Sequence, residues 1–323
     1  MMSFPDFQYK QIIFYFTGKD DLLKFRADNI VITDKNNKVK QQHSCHKLFA
    51  LFIVGNISIT SVILAKAKKY GFPIILLSRN FKVNTIFNNM AEGNFILRKK
   101  QYSGNIDTLE IAKLLVEQKI NNQIRLLKKL RYRSEYDNIA IEKLEKLIPK
   151  QAEDKHILLG MEGNAGRIFF QAYFRQLNWI RREPRTKRDI NNLLLDIGYT
   201  FIFNFIEALV SLYGFDLYCG VYHTAFYQRK SLVCDLVEPF RSIIDQRLRK
   251  AHNLNQINED DFYCKNNQYY LMYKYQGKYT NLFMKDILDR KKEIFYFIQN
   301  YYRWFIKEKP ADLFPVFSIT KGD

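Results

Sequence analysis

The feature that most limits how this chain can fold is a long apolar stretch at residues 193–214, with the sequence LLLDIGYTFIFNFIEALVSLYG. It has the length of a membrane span, but Asp196, Asn204 and Glu207 interrupt its apolar surface. A second apolar stretch, at residues 48–65, is interrupted by glycine and by polar side chains. Because neither is a clean run of the length that a bilayer requires, we expect no membrane span. We predict that both lie in a soluble core, the first as a thoroughly buried helix.

The N-terminal part of the chain, up to about residue 85, has the pattern of a small β-rich domain with one short helix. The segments QIIFYF, KLFALFIVGN and FPIILLS are predicted strands, and NIVITDKNNKVKQQ is a predicted hairpin around a polar turn. The segment SITSVILAKAKKYG has helical spacing and stops at Gly71, which is in the position of a C-terminal cap.

The pattern changes after about residue 90, where long charged segments of helical period begin. A polar, aromatic patch at residues 258–279 has the alternation and the glycine of a hairpin insertion. The length of 323 residues favours two domains. We therefore predict an α+β protein. A small N-terminal β-sheet or β-sandwich-like domain, residues 1–90, precedes a larger all-α domain, residues 91–323.

The charge balance points to an anionic partner. The chain has 51 Lys and Arg residues against 33 Asp and Glu residues, for a formal net charge of +18. A field of that sign attracts polyanions and speeds their arrival, so nucleic acid is the first expectation. An anionic membrane surface is the second, and a merely solvated basic surface is the third.

The cysteines and the N-terminus indicate a compartment. Cys45, Cys219, Cys234 and Cys264 form no CxxC pair, which argues against a zinc ribbon or a thioredoxin-type site. The segment MMSFPDFQYK lacks the basic and apolar regions of a secretory signal. We therefore expect reduced thiols and a cytoplasmic protein.

The apolar segment SLVCDLVEPFR contains two acids, Asp235 and Glu238, where charges are unusual unless they are paired or bind metal. Because proline belongs near the first turn of a helix, Pro239 predicts a helix start near Asp235, with both acids on one face at its positive end. The alternative is that Asp235 is an N-cap and Glu238 pairs with Arg241.

Two other segments carry candidate ligands. Glu162 stands among small residues in LLGMEGNAGRIFF, with a helix-start acid as the alternative interpretation. His223 stands in GVYHTAFYQRKS, with an ordinary hydrogen-bonded histidine as the alternative. Two or three carboxylates with one imidazole suit Mg²⁺ or Mn²⁺ better than Zn²⁺ or copper. In a basic protein such a site favours metal-assisted phosphodiester chemistry.

The basic segment RQLNWIRREPRTKR, residues 175–188, follows the segment of Glu162, and Trp179 is interleaved in it. It is predicted to carry a DNA backbone to the site, and a solvated loop between helices is the alternative. The predicted DNA-binding residues in this segment and elsewhere are Arg167, Arg175, Arg181, Arg182, Arg185, Lys187, Arg188, Arg229, Lys230 and Arg241.

Three separated segments resemble one known family. They are IVGNISITSVILAKAKKYGFPIILLS, GMEGNAGRIFF, and the stretch from NNLLLDIG through GVYHTAFYQRKS to LVEPFRSIID. Together they are similar, in order and in distance, to CRISPR-associated protein one, the integrase of CRISPR spacer acquisition. The resemblance is strongest over residues 160–245 and also covers the N-terminal strand pattern.

The resemblance implies a β-domain that forms a homodimer and an all-helical catalytic domain. It implies a complex in which two such dimers flank a dimer of the small CRISPR-associated protein two. It also implies that Glu162, His223 and Glu238 are the metal ligands, and that Asp235 is a further acid beside them or an alternate ligand. Ala165, Arg167 and Arg241 match other positions of the family motifs.

The activity that the resemblance implies is transesterification, in which the 3′-hydroxyl of a captured DNA fragment attacks the CRISPR repeat. With water as nucleophile the same site would act as a double-stranded DNA endonuclease. Two other readings stay open at this point. One is a catalytically inactive DNA-binding subunit of the same assembly. The other is a membrane-surface protein that uses the basic, aromatic residues 283–309.

Overall fold

The computed structural model describes residues 9–78, 83–87, 94–103, 107–149, 151–223 and 227–319. A strand-rich N-terminal part precedes a mainly helical C-terminal part. The predicted α+β class, with its small β-region before a larger helical region, is confirmed.

The N-terminal part contains two sheets. Its strands are β1 (Gln11–Phe16), β2 (Leu22–Arg26), β3 (Asn29–Thr33), β4 (Val39–Ser44), β5 (Leu48–Val54), β6 (Ile74–Leu77) and β7 (Val83–Phe87). Four strands pair in the order β1-β5-β6-β7, with β1, β5 and β6 parallel and β7 antiparallel to β6. The strands β2, β3 and β4 form an antiparallel three-stranded sheet.

The local sequence accounts for most of these elements. Strand β5 is central, and all seven of its residues are buried, as its unbroken apolar run LFALFIV predicts. The β3–β4 hairpin turns where the Asp34 carboxylate accepts hydrogen bonds from the backbone N–H groups of Asn36 and Lys38, at 2.8 and 3.0 Å. Helix α1 (Ser61–Tyr70) ends at Gly71, whose φ of 71° is left-handed. The predictions for these segments are confirmed, whereas β2 and β7 were not predicted.

The C-terminal part is mostly helical. Its helices are α2 (Phe95–Tyr102), α3 (Thr108–Lys128), α4 (Glu135–Lys146), α5 (Lys155–Tyr173), α6 (Ile190–Ser211), α7 (Ser231–Val237), α8 (Arg241–Asn253), α9 (Gln276–Asp289) and α10 (Lys291–Ile306). Strands β8 (Phe262–Lys265) and β9 (Gln268–Leu271) form an antiparallel hairpin inside the predicted insertion.

Helix α6 contains residues 193–211 of the long apolar stretch. It is long and apolar enough to cross a membrane, but 83% of its most apolar window is buried in the protein. The carboxylate of Asp196 is paired with Arg182 at 2.5 Å, and the side chains of Asn204 and Glu207 are buried. The interpretation as a buried core helix is confirmed.

The chain divides into two compact units. One comprises residues 1–98 with residues 207–215, and the other comprises residues 99–206 with residues 216–323. The domain boundary predicted at residues 90 and 91 lies outside the described residues, so it stays a prediction.

Gly198 lies in α6 at a close approach to two other helices. A Cβ at this position would meet Ile244 Cγ2 of α8 at 2.4 Å and a ring carbon of Phe283 in α9 at 3.1 Å. At Gly160, in α5, a Cβ would meet nothing within 4 Å. The two glycines therefore differ in packing although both are inside helices.

We predict opposite effects of the same substitution at these two positions. Gly198→Ala should lower the free energy of unfolding by about 1–3 kcal/mol, because the added methyl group overpacks the α6–α8–α9 contact. Gly160→Ala, the matched control, should raise it by roughly 0.5–1 kcal/mol, because alanine has the better helix propensity. Urea unfolding measures both values. Equal effects at the two positions would contradict the close packing of α6.

Candidate active site

Glu162 lies in the interior of α5. The helix begins after Asp154, whose carboxylate accepts hydrogen bonds from the backbone N–H groups of His156 and Ile157 at 2.7 and 2.8 Å. Glu162 is thus two turns beyond the first helical residue, too far to be a helix-start acid. The interpretation of Glu162 as a helix-start acid is therefore wrong.

The segment that carries Asp235 and Glu238 forms a helix, a 3₁₀ turn and a second helix. Helix α7 already begins at Ser231, so Asp235 lies within it rather than at its start. Glu238 and Pro239 form the 3₁₀ turn that leads into α8. The prediction of a helix start near Asp235 is wrong. Proline also fits the first positions of a tight turn between two helices, because no backbone hydrogen bond requires an N–H group there.

Asp235 is fully buried and its carboxylate holds the segment that carries His223. Its oxygens accept hydrogen bonds from the backbone N–H groups of Val221, Tyr222 and His223, at 2.6, 3.0 and 2.9 Å. Asp235 Oδ1 also lies 2.7 Å from His223 Nδ1. Asp235 therefore fixes both the backbone and the ring of His223, which leaves Nε2 as the ring nitrogen available to a ligand.

The segment can approach Asp235 closely because residue 220 is glycine. A Cβ at Gly220 would lie 2.7 Å from Asp235 Oδ2 and 2.7 Å from Ser231 Cβ. Any side chain at this position would push the segment away from α7. The glycine that precedes the histidine is thus a requirement of this contact.

Glu162 and Glu238 share one cationic partner, Lys119 of α3. The Lys119 ammonium contacts Glu162 Oε1 and lies 2.7 Å from Glu238 Oε2. The Tyr222 hydroxyl donates to Glu162 Oε2 at 2.5 Å, and Arg241 Nε donates to Glu238 Oε2 at 2.9 Å. The structure therefore brings Glu162 and Glu238 together at one point. It also forms the Glu238–Arg241 pair that the sequence had left open as an alternative.

The charges of this cluster stabilise one another. Burial by itself would raise the pKa of the Glu238 carboxyl, but Arg241 and Lys119 outweigh it and hold the pKa at about 2. Burial disfavours the charged form of Lys119, whereas Glu162 and Glu238 raise the pKa of Lys119 above its usual range. Burial and the nearby Glu162 raise the pKa of Tyr222, so its hydroxyl remains a donor. Glu238 and Lys119 are thus both charged at neutral pH.

Sequence reasoning missed Lys119 and Tyr222. Lys119 follows Leu115 and Val116 by four and three residues, so it lies on the apolar face of α3, and this placement was a usable signal. Tyr222 had no comparable signal, because a tyrosine beside a histidine is an ordinary core residue.

Within the described residues, no three His, Cys, Asp or Glu side chains are arranged as a ready-made metal site. The two glutamates instead surround the Lys119 ammonium. The donor types nevertheless fit a hard divalent cation, since both glutamates direct an oxygen toward one positively charged atom.

A second buried group lies behind Arg241. The Tyr199 hydroxyl donates to Asp245 Oδ1, and the guanidinium groups of Arg182 and Arg241 lie 5.5 and 4.7 Å from the centre of the Tyr199 ring. Burial raises the pKa of the Asp245 carboxyl to about 7, although Tyr199 and Arg241 act in the opposite direction. Asp245 therefore changes its charge near neutral pH.

The predicted DNA-binding residues are in two kinds of environment. Those that are exposed are Arg167, Arg175, Arg181, Arg185, Arg188 and Arg229. Those that are half-buried are Arg182, Lys187, Lys230 and Arg241.

Part of the basic segment 175–188 is tied down by internal contacts. Arg182 pairs with Asp196, and Arg188 lies 3.3 Å from Glu183. Trp179 stacks on Phe170 at 5.4 Å between ring centroids, so this ring packs inside the protein. The segment does form the loop between α5 and α6 that the alternative interpretation expected.

Comparison with known families gives one extensive match. The family model described as CRISPR associated protein Cas1 matches residues 14–285. A curated relative named CRISPR-associated endonuclease Cas1 1, from Thermodesulfovibrio yellowstonii, is 30% identical over 223 residues, which cover 65% of this chain and 70% of the relative. CRISPR-associated protein Cas1 3 from Methanobrevibacter ruminantium is 26% identical over 270 residues, covering 77% of this chain and 80% of that protein.

Solved structures share the fold. A CAS1 protein from Thermotoga maritima superposes with a TM-score of 0.79 at 18% identity, over 92% of this chain and 97% of that chain. A casposase bound to integration product gives 0.77 at 18% identity, over 97% and 96%. A Cas6-RT-Cas1–Cas2 complex gives 0.82 at 19% identity, and there 97% of this chain spans only 36% of the other.

We predict that Asp245→Asn changes how stability depends on pH. The folded protein keeps the proton on Asp245 up to about pH 7, whereas an unfolded chain releases it near pH 4. Between these values the folded state binds the extra proton, so rising pH destabilises the wild type relative to the variant. This relative loss should reach as much as about 4 kcal/mol in urea unfolding between pH 4 and pH 7.5. A difference that does not vary with pH would contradict the burial of this carboxyl.

Proposed function

The chain belongs to the Cas1 family of CRISPR-associated proteins, and from this premise we propose that it is a metal-dependent DNA integrase of CRISPR spacer acquisition. The 3′-hydroxyl of a captured DNA fragment attacks the phosphodiester at the end of the CRISPR repeat. A new bond forms from that oxygen to phosphorus, and the bond from phosphorus to the 3′ oxygen of the neighbouring nucleotide breaks, which leaves a free 3′-hydroxyl on the target strand. With water as the attacking group, the same residues cut double-stranded DNA. The endonuclease names of curated relatives agree with that second reaction.

One observation carries the proposal. Glu162 and Glu238 come from separate segments of the chain and converge on a single cation, and His223 directly follows Tyr222, whose hydroxyl donates to Glu162. An acid–histidine–acid set of this kind inside a basic protein is suited to phosphodiester chemistry.

We assign the metal ligands to Glu162, His223 and Glu238, and the metal to Mg²⁺ or Mn²⁺. Carboxylate oxygens with one imidazole nitrogen suit these ions. When bound, the ion polarises the phosphodiester and stabilises charge on the attacking and leaving oxygens. The chain's own contribution is to hold both carboxylates against one cation and to leave His223 Nε2 available.

We assign Asp235 the role of orienting His223. Its carboxylate accepts three backbone hydrogen bonds and contacts His223 Nδ1, so its oxygens are already engaged. A carboxylate behind a histidine ligand fixes the tautomer and makes the ligand more basic. Of the four predicted site residues, Asp235 is thus a positioning residue.

Two further residues position the glutamates. Tyr222 holds Glu162 Oε2 at 2.5 Å, and Arg241 holds Glu238 Oε2 at 2.9 Å. Arg241 is enclosed between Glu238 and the Tyr199 ring. We therefore assign Arg241 to the support of Glu238 rather than to a DNA phosphate.

For DNA we propose the exposed arginines of the predicted set together with a groove between α4 and α5. The groove has a volume of about 360 Å³, and its lining includes Tyr136, Lys143, Lys146, Asn164 and Arg167. Arg167 lies on the same helix as Glu162. Basic side chains around such a groove can neutralise backbone phosphates, and the net charge of +18 favours their approach.

The assembly is also a proposal. Two of the solved structures that share the fold are complexes of Cas1 with Cas2, and another is a Cas1–DNA complex. We propose that this chain forms a homodimer through residues 1–90 and binds a dimer of the small CRISPR-associated protein two. Residues 91–323 carry the catalytic site, and the protein acts on DNA in the cytoplasm without a membrane.

A catalytically inactive DNA-binding subunit of the same assembly is the other candidate. It would keep the basic surface and the fold and would not need the glutamates. The two glutamates that converge on one cation favour the enzyme, because a binding subunit has no need for acids brought together at the cost of burying charge.

We predict that Glu162→Ala abolishes joining of DNA ends to the repeat. The assay combines purified protein, its small partner, a duplex with 3′-hydroxyl ends and a supercoiled repeat plasmid, with and without Mg²⁺ or Mn²⁺. The wild type should join DNA only with metal, and the variant should fall to the metal-free background, because one ligand is lost.

Glu142→Ala is the matched control, because Glu142 is exposed on α4. It should join DNA as the wild type does. If Glu162→Ala also joined DNA at the wild-type rate, the inactive-subunit candidate would replace the integrase.

We predict a different outcome for Asp235→Asn. Losing the carboxylate behind His223 should weaken Mn²⁺ binding by roughly 10–100-fold, and higher Mn²⁺ concentration should restore joining. Glu238→Ala should not be restored. Circular dichroism confirms that each variant is folded. A folded Asp235→Asn protein that stays inactive at every Mn²⁺ concentration would mean that Asp235 is itself a ligand.

A further inference from the structure

The Lys119 ammonium is in the place where a divalent ion would have to contact both glutamates. It touches Glu162 Oε1 and lies 2.7 Å from Glu238 Oε2. Within the part of the chain that the structure describes, Lys119 is the one cation paired with both of them. A bound ion and this ammonium would therefore compete for the same oxygens.

The surrounding charges show why a cation is needed there. Glu238 has Arg241 as a second partner, and the Asp235 carboxylate is occupied by His223 and by backbone N–H groups. Glu162 and Glu238 approach one another closely enough to share one nitrogen. Two carboxylates at that separation repel each other unless a positive charge lies between them.

We propose that Lys119 is an internal cation that holds Glu162 and Glu238 together in the metal-free protein and moves aside when the divalent ion enters. The inference rests on the proposed function, since it takes the two glutamates as ligands of that ion. It adds a positioning residue that the family motifs quoted above do not contain.

The exposure of the three side chains makes this exchange possible. The side chains of Lys119 and Glu162 are 16% and 13% exposed, whereas that of Glu238 is 2% exposed. Glu162 is thus the more exposed of the two glutamates, and its side is the direction in which the ammonium would leave. A lysine also suits the role because its charge is compact and its stem of four carbons is flexible.

A consequence is that Lys119 stabilises the folded protein when metal is absent and lowers its affinity for the metal. An ion that enters has to displace an ammonium that already neutralises its ligands, so part of its binding free energy is spent on the exchange. Removing the ammonium should thus weaken the metal-free protein and tighten metal binding at the same time. A lysine with a merely structural role would not produce this opposite pair of effects.

The test compares Mn²⁺ binding by calorimetry, and melting temperatures, for the wild type and four variants of the full chain, one of which is Glu162→Ala. Lys119→Met should lower the dissociation constant for Mn²⁺ by about tenfold or more. It should also lower the melting temperature without metal, and Mn²⁺ should restore it. Lys119→Arg, which keeps a positive charge, should bind Mn²⁺ about as the wild type does. Lys113→Met is the matched control, because Lys113 is on the same helix and its side chain is 21% exposed.

The outcomes separate this inference from the proposed function. Wild-type Mn²⁺ binding that is lost in Glu162→Ala but is no tighter in Lys119→Met would overturn the role of Lys119 and leave the metal site standing. If neither the wild type nor Lys119→Met bound Mn²⁺, both would be overturned.

Chemical labelling of the wild type provides a second measurement in case Lys119→Met does not fold. Acetylation of lysines followed by mass spectrometry should label Lys119 slowly without metal and several-fold faster with Mn²⁺, because the ammonium has left its carboxylates. Labelling of Lys113 should not change. Equal labelling of Lys119 with and without Mn²⁺, at a concentration that saturates the site, would overturn the exchange.

Discussion

The helical part of this protein is organised around one shared charge, the Lys119 ammonium between Glu162 and Glu238. It joins α3, α5 and the 3₁₀ turn before α8, three elements that are distant in sequence. Buried acids are costly unless they are paired, so the fold of this region depends on keeping the pair neutralised. The same requirement bears on the proposed chemistry, because a divalent ion could neutralise the two carboxylates in place of the ammonium.

A third carboxylate, Asp235, has a different role, since it contacts His223 rather than the shared cation. It is fully buried and holds His223 by the backbone and by the ring. The cluster thus separates acids that face a cation from an acid that orients a histidine. The protein as a whole carries the opposite sign of charge, with a formal net charge of +18 from its excess of Lys and Arg. A basic exterior and an acidic interior agree with the proposed function, in which the protein attracts DNA and binds a metal.

Patterns that depend on neighbouring residues predicted much of the fold. The β3–β4 hairpin, the end of α1 at Gly71 and the burial of α6 all follow from local chemistry. The strands β2 and β7 were missed because each is only five residues long, too short for a periodic pattern to stand out. Pro239 was misread, because a tight turn between two helices accepts proline as well as a helix start does.

The resemblance to the family is confirmed by the matching family model. The contacts of Lys119 and Tyr222 could not be predicted, since they join residues far apart in the chain.

The most direct test of the account is a crystal structure with Mn²⁺, located by its anomalous scattering. We expect one strong peak bonded to an oxygen of Glu162, an oxygen of Glu238 and Nε2 of His223, with Asp235 still on Nδ1 and the Lys119 ammonium displaced. A Mn²⁺ peak elsewhere in the protein, with the Lys119 ammonium still between the two glutamates, would contradict both the assigned ligands and the displacement of Lys119.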